Sequence, residues 1–272
     1  MIEKFGGIVV LASVLLNGLS ACAVDASAKF RVAQWNIGHF AMGKSCSTSI
    51  AAAESRERAT KYRAKIASLK ADFIGVSEYD PIFDTAGMPA TNAVFASYPT
   101  AVAGPKNAYQ CNAVFSRLPC VRHEVVNFCD RGQQTYFLDA VFKVGTNDVH
   151  FVQSHLDWNS NEKATDARPR QIRQLITHFK NVPYVIICAD FNVCGAGEYK
   201  PFVMAGFTLA NCGAAGCLET YPGKDELMPC RRYPLDNIIV KGFKVSDVKI
   251  DDKDLTLSDH RIIACNLEMV AQ

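Results

Sequence analysis

The sequence has neither a strong net charge nor an apolar run long enough to cross a membrane. Its 29 Lys and Arg residues balance 27 Asp and Glu residues, so a basic surface for nucleic acid would have to be a local patch. The apolar run at 8–16 has about half of the ~20 residues that a spanning helix needs. Internal repeats, low-complexity stretches and C-x-x-C pairs are also missing, which argues against a repeat array, a linker and a structural zinc site.

What is present is ordinary for a folded globular protein: 272 residues, of which 49% are hydrophobic and 21% charged. This length can bury one large core. The composition excludes a disordered chain, a collagen and a coiled coil.

The N-terminus has the order of a secretory signal: Lys4, the short apolar run, and then Leu-Ser-Ala-Cys ending at Cys22. The tetrapeptide resembles a bacterial lipobox, in which the signal is removed before a cysteine that is then acylated. We therefore expect a lipoprotein-type signal at 1–21, lipidation of Cys22 and a short tether at 22–29 that anchors the protein to a membrane. The alternative is a periplasmic or secreted protein cleaved at a nearby small residue.

Ten cysteines lie beyond Cys22, and an even number in an exported chain predicts some disulfides. Cys188 and Cys265 lie in apolar runs, so we expect them to be buried free thiols. The pairing cannot be read from the sequence. The eight candidates are Cys46, Cys111, Cys120, Cys129, Cys194, Cys212, Cys217 and Cys230.

Short runs rich in Val, Ile, Phe or Tyr predict a protein made mainly of strands. Apolar residues at helical spacing predict two amphipathic helices, at 54–70 and 166–180, and 194–217 has the composition of a loop-rich insertion. Strands that mostly follow one another indicate an α+β layered sandwich. The predicted strands are 30–36, 73–78, 109–117, 136–144, 148–155, 184–190, 236–241 and 259–268.

Polar side chains follow or precede several of these strands directly, where sheet proteins often place reactive groups. Each has an unremarkable explanation when taken alone, such as a turn residue or a core histidine. Together, oxygen ligands, two histidines and two Asp/Asn pairs are the side chains of a divalent-metal phosphoester hydrolase. They are Asn36, Glu78, His155, Asp190, Asn192, Asp236, Asp259 and His260.

Seven motifs in one order resemble the endonuclease/exonuclease/phosphatase family over residues 30–268. The resemblance implies a four-layer α/β sandwich of two packed β-sheets flanked by helices, with a catalytic domain at 30–272. Ser77 and Ala189 depart from the common Gln and Gly of the family, but neither change removes a ligand. The motifs are W-N at 35–36, D-F-I-G-V-S-E at 72–78, N-A-V-F-S-R at 112–117, S-H-L-D at 154–157, A-D-F-N at 189–192, L-D-N-I at 235–238 and S-D-H at 258–260.

The same resemblance implies a role for each residue. Asn36 and Glu78 would hold Mg²⁺ or Mn²⁺, with Asp259 at the edge of the metal site. Asp190 would position or deprotonate the attacking water, and Asn192 would donate to a phosphate oxygen.

His155 and His260 would flank the phosphate, one on the side of the nucleophile and the other on the side of the leaving group, and Asp236 would pair with His260. The order of the two histidines stays open. Further substrate contacts are predicted at Tyr109, Asn112 and Arg170, the last in a basic helix start whose alternative is a solvated face. We expect His39 to line the pocket and His123, His150 and His178 to be structural or exposed to solvent.

Site chemistry of this kind does not choose a substrate. The leading hypothesis is an exported, monomeric phosphodiesterase or endonuclease that acts on nucleic acid. The alternatives are a sphingomyelin or phospholipid phosphodiesterase, an inositol-polyphosphate phosphatase, and a catalytically inactive binding protein. A lipid substrate would suit the anchor, but the only candidates for an exposed apolar hairpin are Val94, Phe95 and Tyr98.

Overall fold

The computed structural model describes residues 28–40, 51–106, 111–129, 135–158, 167–193, 195–213, 216–222, 233–251 and 255–271. The expected signal, Cys22, Tyr109, Cys46, Cys194 and Cys230 lie outside these residues. The strands are β1 (Lys29–Asn36), β2 (Phe73–Ser77), β3 (Thr100–Ala103), β4 (Ala113–Ser116), β5 (Cys120–Asn127), β6 (Tyr136–Val144), β7 (Asn147–His155), β8 (Val185–Asp190), β9 (Thr208–Leu209), β10 (Asp236–Lys241), β11 (Phe243–Asp251) and β12 (Ile262–Met269). The α-helices are α1 (Ala52–Leu69), α2 (Ala90–Ala93), α3 (Ala167–Phe179) and α4 (Lys200–Met204), and short 3₁₀ turns span Gly38–Phe40 and Ala196–Tyr199.

The strands form two six-stranded sheets. The first sheet has the order β11-β12-β1-β2-β4-β3, and the second sheet has the order β5-β6-β7-β8-β10-β9. Each sheet contains one parallel pair, β1 with β2 and β7 with β8, and its other pairs are antiparallel. Helix α1 connects β1 to β2, and α3 connects β7 to β8. The two strands of each pair therefore run in the same direction, and their C-terminal ends lie at the same edge of the sheet.

The two sheets pack face to face and carry helices on their outer faces. Phe73 and Ile263 of the first sheet and Phe151 and Ile186 of the second belong to one buried apolar layer. Outside it, α1 packs on the first sheet and α3 on the second. The predicted four-layer α/β sandwich is therefore confirmed.

The predicted helices and core strands lie where the apolar patterns placed them. Helix α1 buries Tyr62 and Ile66 at helical spacing and ends at Lys70, whose left-handed backbone (φ 50°) closes the last turn with a hydrogen bond to the Ala67 carbonyl. Strands β6, β7, β8 and β10 reproduce the predicted ranges to within one residue.

Strands β3, β5, β9 and β11 were not predicted, and all four lie at the edges of the two sheets. Strand β5 lies at an edge of its sheet and exposes most of its residues, and β11 is an edge strand with a register shift between Ser246 and Lys249. Such strands lack the continuous apolar run that identifies a buried strand. The insertion at 195–213 contains α4 and also β9, which pairs with β10.

The candidate residues for an exposed apolar hairpin, at 94–98, lie in the core. Val94, Phe95 and Tyr98 are buried, and the Phe95 ring stacks on Phe115 with centroids 3.6 Å apart. These side chains are part of the core beneath α1, so they cannot insert into a bilayer.

The cysteines divide as the apolar runs suggested. Cys188 and Cys265 are buried free thiols, and a disulfide joins Cys212 to Cys217. Cys212 and Cys217 are two of the eight candidates, and three other candidates, Cys111, Cys120 and Cys129, are free. In the described part of the chain, no helix combines the length and apolar character that a bilayer crossing requires.

The close approach of the two sheets makes Gly75 of β2 a sensitive position. A Cβ atom at Gly75 would lie 2.7 Å from the Cys188 Cβ and would also meet the Gln153 amide. We predict that Gly75→Ala lowers the free energy of unfolding by about 1–3 kcal/mol, because overpacking forces the sheets apart. Urea unfolding measures this value. Gly197→Ala is the control, since nothing lies within 4 Å of its added Cβ, and equal stability of the two variants would contradict the prediction.

Candidate active site

The polar residues predicted from the motifs come together where the two parallel strand pairs end. Asn36 ends β1, Glu78 follows β2, and His155 and Asp190 are register partners at the ends of β7 and β8. Asp236 begins β10 directly opposite Asp190. Residues that are far apart in the sequence therefore meet at one edge of the sandwich.

Asn36 joins the two sheets at this edge. Its Nδ2 donates to Glu78 Oε1 at 3.0 Å and to Asp190 Oδ2 at 2.9 Å. Its Oδ1 accepts from the Gly38 N–H at 3.1 Å. The buried amide thus holds two carboxylates on either side of one nitrogen, which fixes their separation.

The backbone around Glu78 is wound in a conformation that few side chains adopt. Glu78 has φ 52°, and Gly38, His39 and Phe40 have φ between 53° and 59°. The His39 N–H donates to the Glu78 carbonyl at 2.8 Å, and His39 Nε2 lies 3.6 Å from Glu78 Oε2. Left-handed backbone at non-glycine residues costs free energy and concentrates at functional sites.

Asp190 is the centre of the cluster. Its Oδ2 lies 3.6 Å from His155 Nε2 and 3.7 Å from His260 Nε2, and its Oδ1 accepts from the Asn192 N–H at 3.0 Å. Burial alone would raise the pKa of Asp190, but the two histidines and the hydrogen bonds from Asn36 and Asn192 outweigh it and lower that pKa. Asp190 is therefore ionised at neutral pH.

His260 lies between two carboxylates. Its Nδ1 donates to Asp236 Oδ2 at 2.8 Å while its Nε2 faces Asp190. Burial disfavours the charged ring, yet Asp236 and then Asp190 reverse this effect and raise the pKa of His260 from its ordinary 6.5 to about 10. Burial also raises the pKa of Asp236, with part of the rise offset by His260.

Hydrogen bonds from both sheets hold the His260–Asp236 pair in place. Gln34 Nε2 donates to Asp236 Oδ1 at 3.3 Å, and the Asp236 N–H donates to Thr220 Oγ1 at 2.8 Å. Ser258 Oγ donates to the Asn36 carbonyl at 2.6 Å and accepts from the His260 N–H at 3.1 Å. The S-D-H motif at 258–260 is therefore hydrogen-bonded to the end of β1 through Ser258.

A cleft of about 340 Å³ opens over this cluster. Trp158, whose residue surface is 52% exposed, and Tyr221, whose ring lies 4.9 Å from that of His260, are two lining residues that the motifs did not identify. Trp158 directly follows the S-H-L-D motif, which could have drawn attention to it, whereas no sequence signal marks Tyr221. The lining residues are His39, Glu78, His155, Trp158, Asp190, Asn192, Tyr221, Leu235, Asp259 and His260.

Solved structures share this architecture. TDP2 from D. rerio in complex with a single-strand DNA product matches with a TM-score of 0.68 and 18% identity, over 88% of this chain and 99% of that chain. The endonuclease/exonuclease/phosphatase from Beutenbergia cavernae DSM 12333 matches with a TM-score of 0.68 and 17% identity, over 89% of this chain and 72% of that chain. This chain has the endonuclease/exonuclease/phosphatase fold.

The endonuclease/exonuclease/phosphatase from Bacteroides vulgatus also matches, with a TM-score of 0.65 and 17% identity, over 89% of this chain and 99% of that chain. No protein-family profile matches the sequence, and no curated protein sequence matches it. The endonuclease/exonuclease/phosphatase fold is therefore evident from the tertiary structure and from the motifs, but not from overall sequence similarity.

Two of the three predicted substrate contacts, Asn112 and Arg170, lie away from the cleft. Asn112 is buried, and its amide nitrogen donates to the Tyr136 carbonyl at 3.5 Å. Arg170 lies on the exposed face of α3, and neither residue lines the cleft. Arg168 and Gln171, from the same basic helix start, are buried and bond instead to the backbone of Asp157.

The donor set at the Glu78 side of the cleft fits a hard divalent cation. Glu78 and Asp259 both line the cleft, and Asn36 lies behind Glu78, so the available donors are oxygens of the type that Mg²⁺ prefers. Asp190, Asp236 and His260 also offer ligand atoms within 4.8 Å of one another. There, however, the charged His260 ring already lies between the two carboxylates, which favours the Glu78 side for the cation.

We predict that the His260 imidazole of metal-free protein titrates near pH 10 and that Asp236→Asn lowers this pKa by about 1 unit or more, because an opposite charge at hydrogen-bond distance is lost. NMR titration of the histidine ring protons in chelator measures both values. Asp247→Asn, at the exposed side of β11, is the control. An unchanged pKa in Asp236→Asn would contradict the prediction.

The same pair makes stability depend on pH. The folded protein favours the charged His260 ring, so the charged ring adds to the free energy of unfolding. This stabilisation is fully present below pH 6.5, the ordinary pKa of histidine, and is lost as the pH rises through about 10. Urea unfolding at pH 6 and pH 10 should therefore show a larger loss of stability in the wild type than in Asp236→Asn.

Proposed function

We propose that this protein is a divalent-metal-dependent phosphoester hydrolase whose substrate is nucleic acid. The observation that carries the proposal is the convergence on Asp190 of one amide and two imidazoles, with Glu78 beside them, at the open edge of an endonuclease/exonuclease/phosphatase fold. The D. rerio TDP2 structure, which has the same fold, contains a single-strand DNA product. That similarity supports nucleic acid as the substrate class.

In this proposal Glu78 and Asn36 hold Mg²⁺ or Mn²⁺, and Asp259 lies at the edge of the metal site. When bound, the ion neutralises charge on the phosphate and polarises its P–O bonds. Glu78 has the geometry for this role because its carboxylate lines the cleft while Asn36 fixes its orientation from below.

Asp190 positions the attacking water. Four neighbours hold its carboxylate: the Asn36 amide, the Asn192 N–H and the rings of His155 and His260. A fixed acceptor of this kind orients a water with little reorganisation during the reaction. Asn192 lines the cleft beside it, and its Nδ2 donates to the Leu156 carbonyl at 2.9 Å. This bond sets the orientation in which the amide meets a phosphate oxygen.

His155 and His260 flank the phosphate from the two sides of Asp190. His260 is held by Asp236, which fixes the proton on Nδ1 and leaves Nε2 toward the cleft. This arrangement suits an imidazole that contacts phosphoryl oxygens. His155 then serves the leaving group.

The walls of the cleft favour nucleic acid over the alternatives. Trp158 and Tyr221 present aromatic rings to the cleft, and such rings stack on unpaired bases. The residues that the sequence offered for insertion into a lipid bilayer, Val94, Phe95 and Tyr98, are buried.

The proposal is tested by incubating the whole chain with single-stranded DNA, plasmid DNA, sphingomyelin and inositol polyphosphates, with Mg²⁺ or with chelator. We expect metal-dependent cleavage of DNA. His260→Ala and Asp190→Asn should each lower turnover by about 100-fold to 10,000-fold, the usual contribution of a positioned acid or base. His123→Ala, a histidine outside the described cleft, should keep wild-type turnover.

Each other outcome has a definite meaning for the proposed function. Release of product from sphingomyelin or inositol phosphates alone, with the same dependence on metal and His260, would replace nucleic acid as the substrate. No turnover of any substrate by a folded protein would favour a catalytically inactive binding protein. Full activity of Asp190→Asn would overturn the assignment of the site.

We also propose that the protein is exported and anchored through Cys22, a proposal supported by the lipobox-like tetrapeptide alone. Cys22→Ser should abolish incorporation of labelled fatty acid in a bacterial host and should move the protein from the membrane fraction to the soluble fraction. Cys120→Ser, which removes a partly exposed thiol of β5, is the control. Equal labelling of both variants would contradict the anchor.

A further inference from the structure

A second group of metal-ligating side chains lies on the outer face of the second sheet, under the C-terminal half of α3. It contains Glu124 of β5, Asp139 of β6, His150 of β7 and His178 of α3. These residues border a hollow of about 350 Å³ that shares no lining residue with the catalytic cleft. We infer that Glu124, Asp139 and His178 form a zinc site, with His150 orienting Asp139.

The first observation is a pair of like charges. Glu124 and Asp139 are direct register partners of the antiparallel β5–β6 pair, and two carboxylates in that relation repel each other. Arg122, the cation that borders the hollow, directs its guanidinium to Asp148 at 3.6 Å. His178 contacts Glu124 and His150 contacts Asp139, so neither ring lies between the carboxylates as His260 does at the cleft, and a cation between them would remove the repulsion.

The second observation is the state of Asp139, which is only 2% exposed. Its Oδ2 accepts from His150 Nδ1 at 2.8 Å. Its Oδ1 is buried and has no hydrogen-bond partner among the described residues. A buried carboxylate oxygen without a partner is costly, whereas a metal ligand that is oriented by a further hydrogen bond is a common arrangement.

The third observation is the distance between the ligand atoms. Glu124, Asp139 and His178 each offer one atom, and these atoms all lie within 4.8 Å of one another. His178 Nε2 is 3.5 Å from Glu124 Oε1, close to the ~3.3 Å that separates two ligands of a tetrahedral zinc ion. The His178 ring also packs edge-on against Phe137, with centroids 5.1 Å apart, which restricts its rotation.

The ligand types decide the metal. One imidazole and two carboxylates are a nitrogen and oxygen set that suits Zn²⁺, with a fourth position left for water. The cleft site at Glu78 offers oxygens instead, so the two sites would select different ions. This second site does not depend on the proposed function, because none of its residues belongs to the cleft.

The test measures zinc bound to the whole chain after chelation and dialysis against micromolar Zn²⁺. Glu78→Gln serves as the background, so that binding in the cleft is reduced. We expect about one zinc per chain, and its loss in the added double variant Glu124→Gln/His178→Gln. Both residues are exposed, so the double variant should fold, which circular dichroism checks. Glu57→Gln is the control, because this exposed glutamate belongs to α1 and does not border the hollow.

Two further readings complete the test. Co²⁺ in place of zinc should give visible absorption bands in the Glu78→Gln background and not in the double variant. Zinc should raise the melting temperature in the first protein and not in the second. Equal zinc content with and without the double substitution, or no bound zinc in the Glu78→Gln protein, would overturn the site whatever the outcome of the nuclease assay.

Discussion

The hydrogen bond from Asn36 to Asp190 is the constraint on which the candidate active site depends. Asn36 belongs to the first sheet and Asp190 to the second, and their side chains meet at 2.9 Å in a buried position. An apolar interface tolerates small shifts between sheets, whereas a buried hydrogen bond is lost over a short distance and leaves costly unpaired groups. The relative position of the two sheets is therefore set most sharply at the end where the site lies.

Other polar contacts between the sheets extend this constraint inward. Gln34 reaches Asp236 across the interface, and Ser77 Oγ donates to the Ser154 carbonyl at 3.2 Å and accepts from Gln153 Nε2 at 2.9 Å. Ser77 stands where the family commonly has Gln, and here two glutamines, Gln34 of the first sheet and Gln153 of the second, donate to its hydroxyl. These hydrogen bonds hold Ser77 between the two sheets, so the change from Gln to Ser leaves Glu78 at the cleft.

Electrostatics explains why the loop that carries His260 is fastened so firmly. Asp190 and Asp236 face each other across β8 and β10, and two buried carboxylates in that relation are unstable without compensation. The His260 ring lies between them and supplies the missing charge. The same ring is directed toward the cleft, so one group serves both the stability of the fold and the proposed chemistry.

Helix α3 connects the cleft with the proposed zinc site. Near its start, Gln171 and Arg168 bond to the backbone of Asp157 beside the cleft, and near its end His178 reaches Glu124. The helix is a rigid element about 13 residues long, so its position on the second sheet is set at both ends. The outer face of that sheet therefore carries polar groups at each end of an otherwise apolar contact.

The sequence by itself determined the core strands and both long helices, because burial leaves a local pattern. Its motifs, which stand at strand ends, indicated the sandwich and the polar residues that meet at the cleft, whereas the predicted contacts Asn112 and Arg170 lie elsewhere. Only the tertiary structure decided which groups bond to Asn36, that Trp158 and Tyr221 line the cleft, and that Cys212 pairs with Cys217. These depend on the register and spacing of segments far apart in the chain, which leave no trace in local periodicity. Edge strands such as β5 were missed for a related reason, since a strand that is exposed on both faces has no apolar pattern to read.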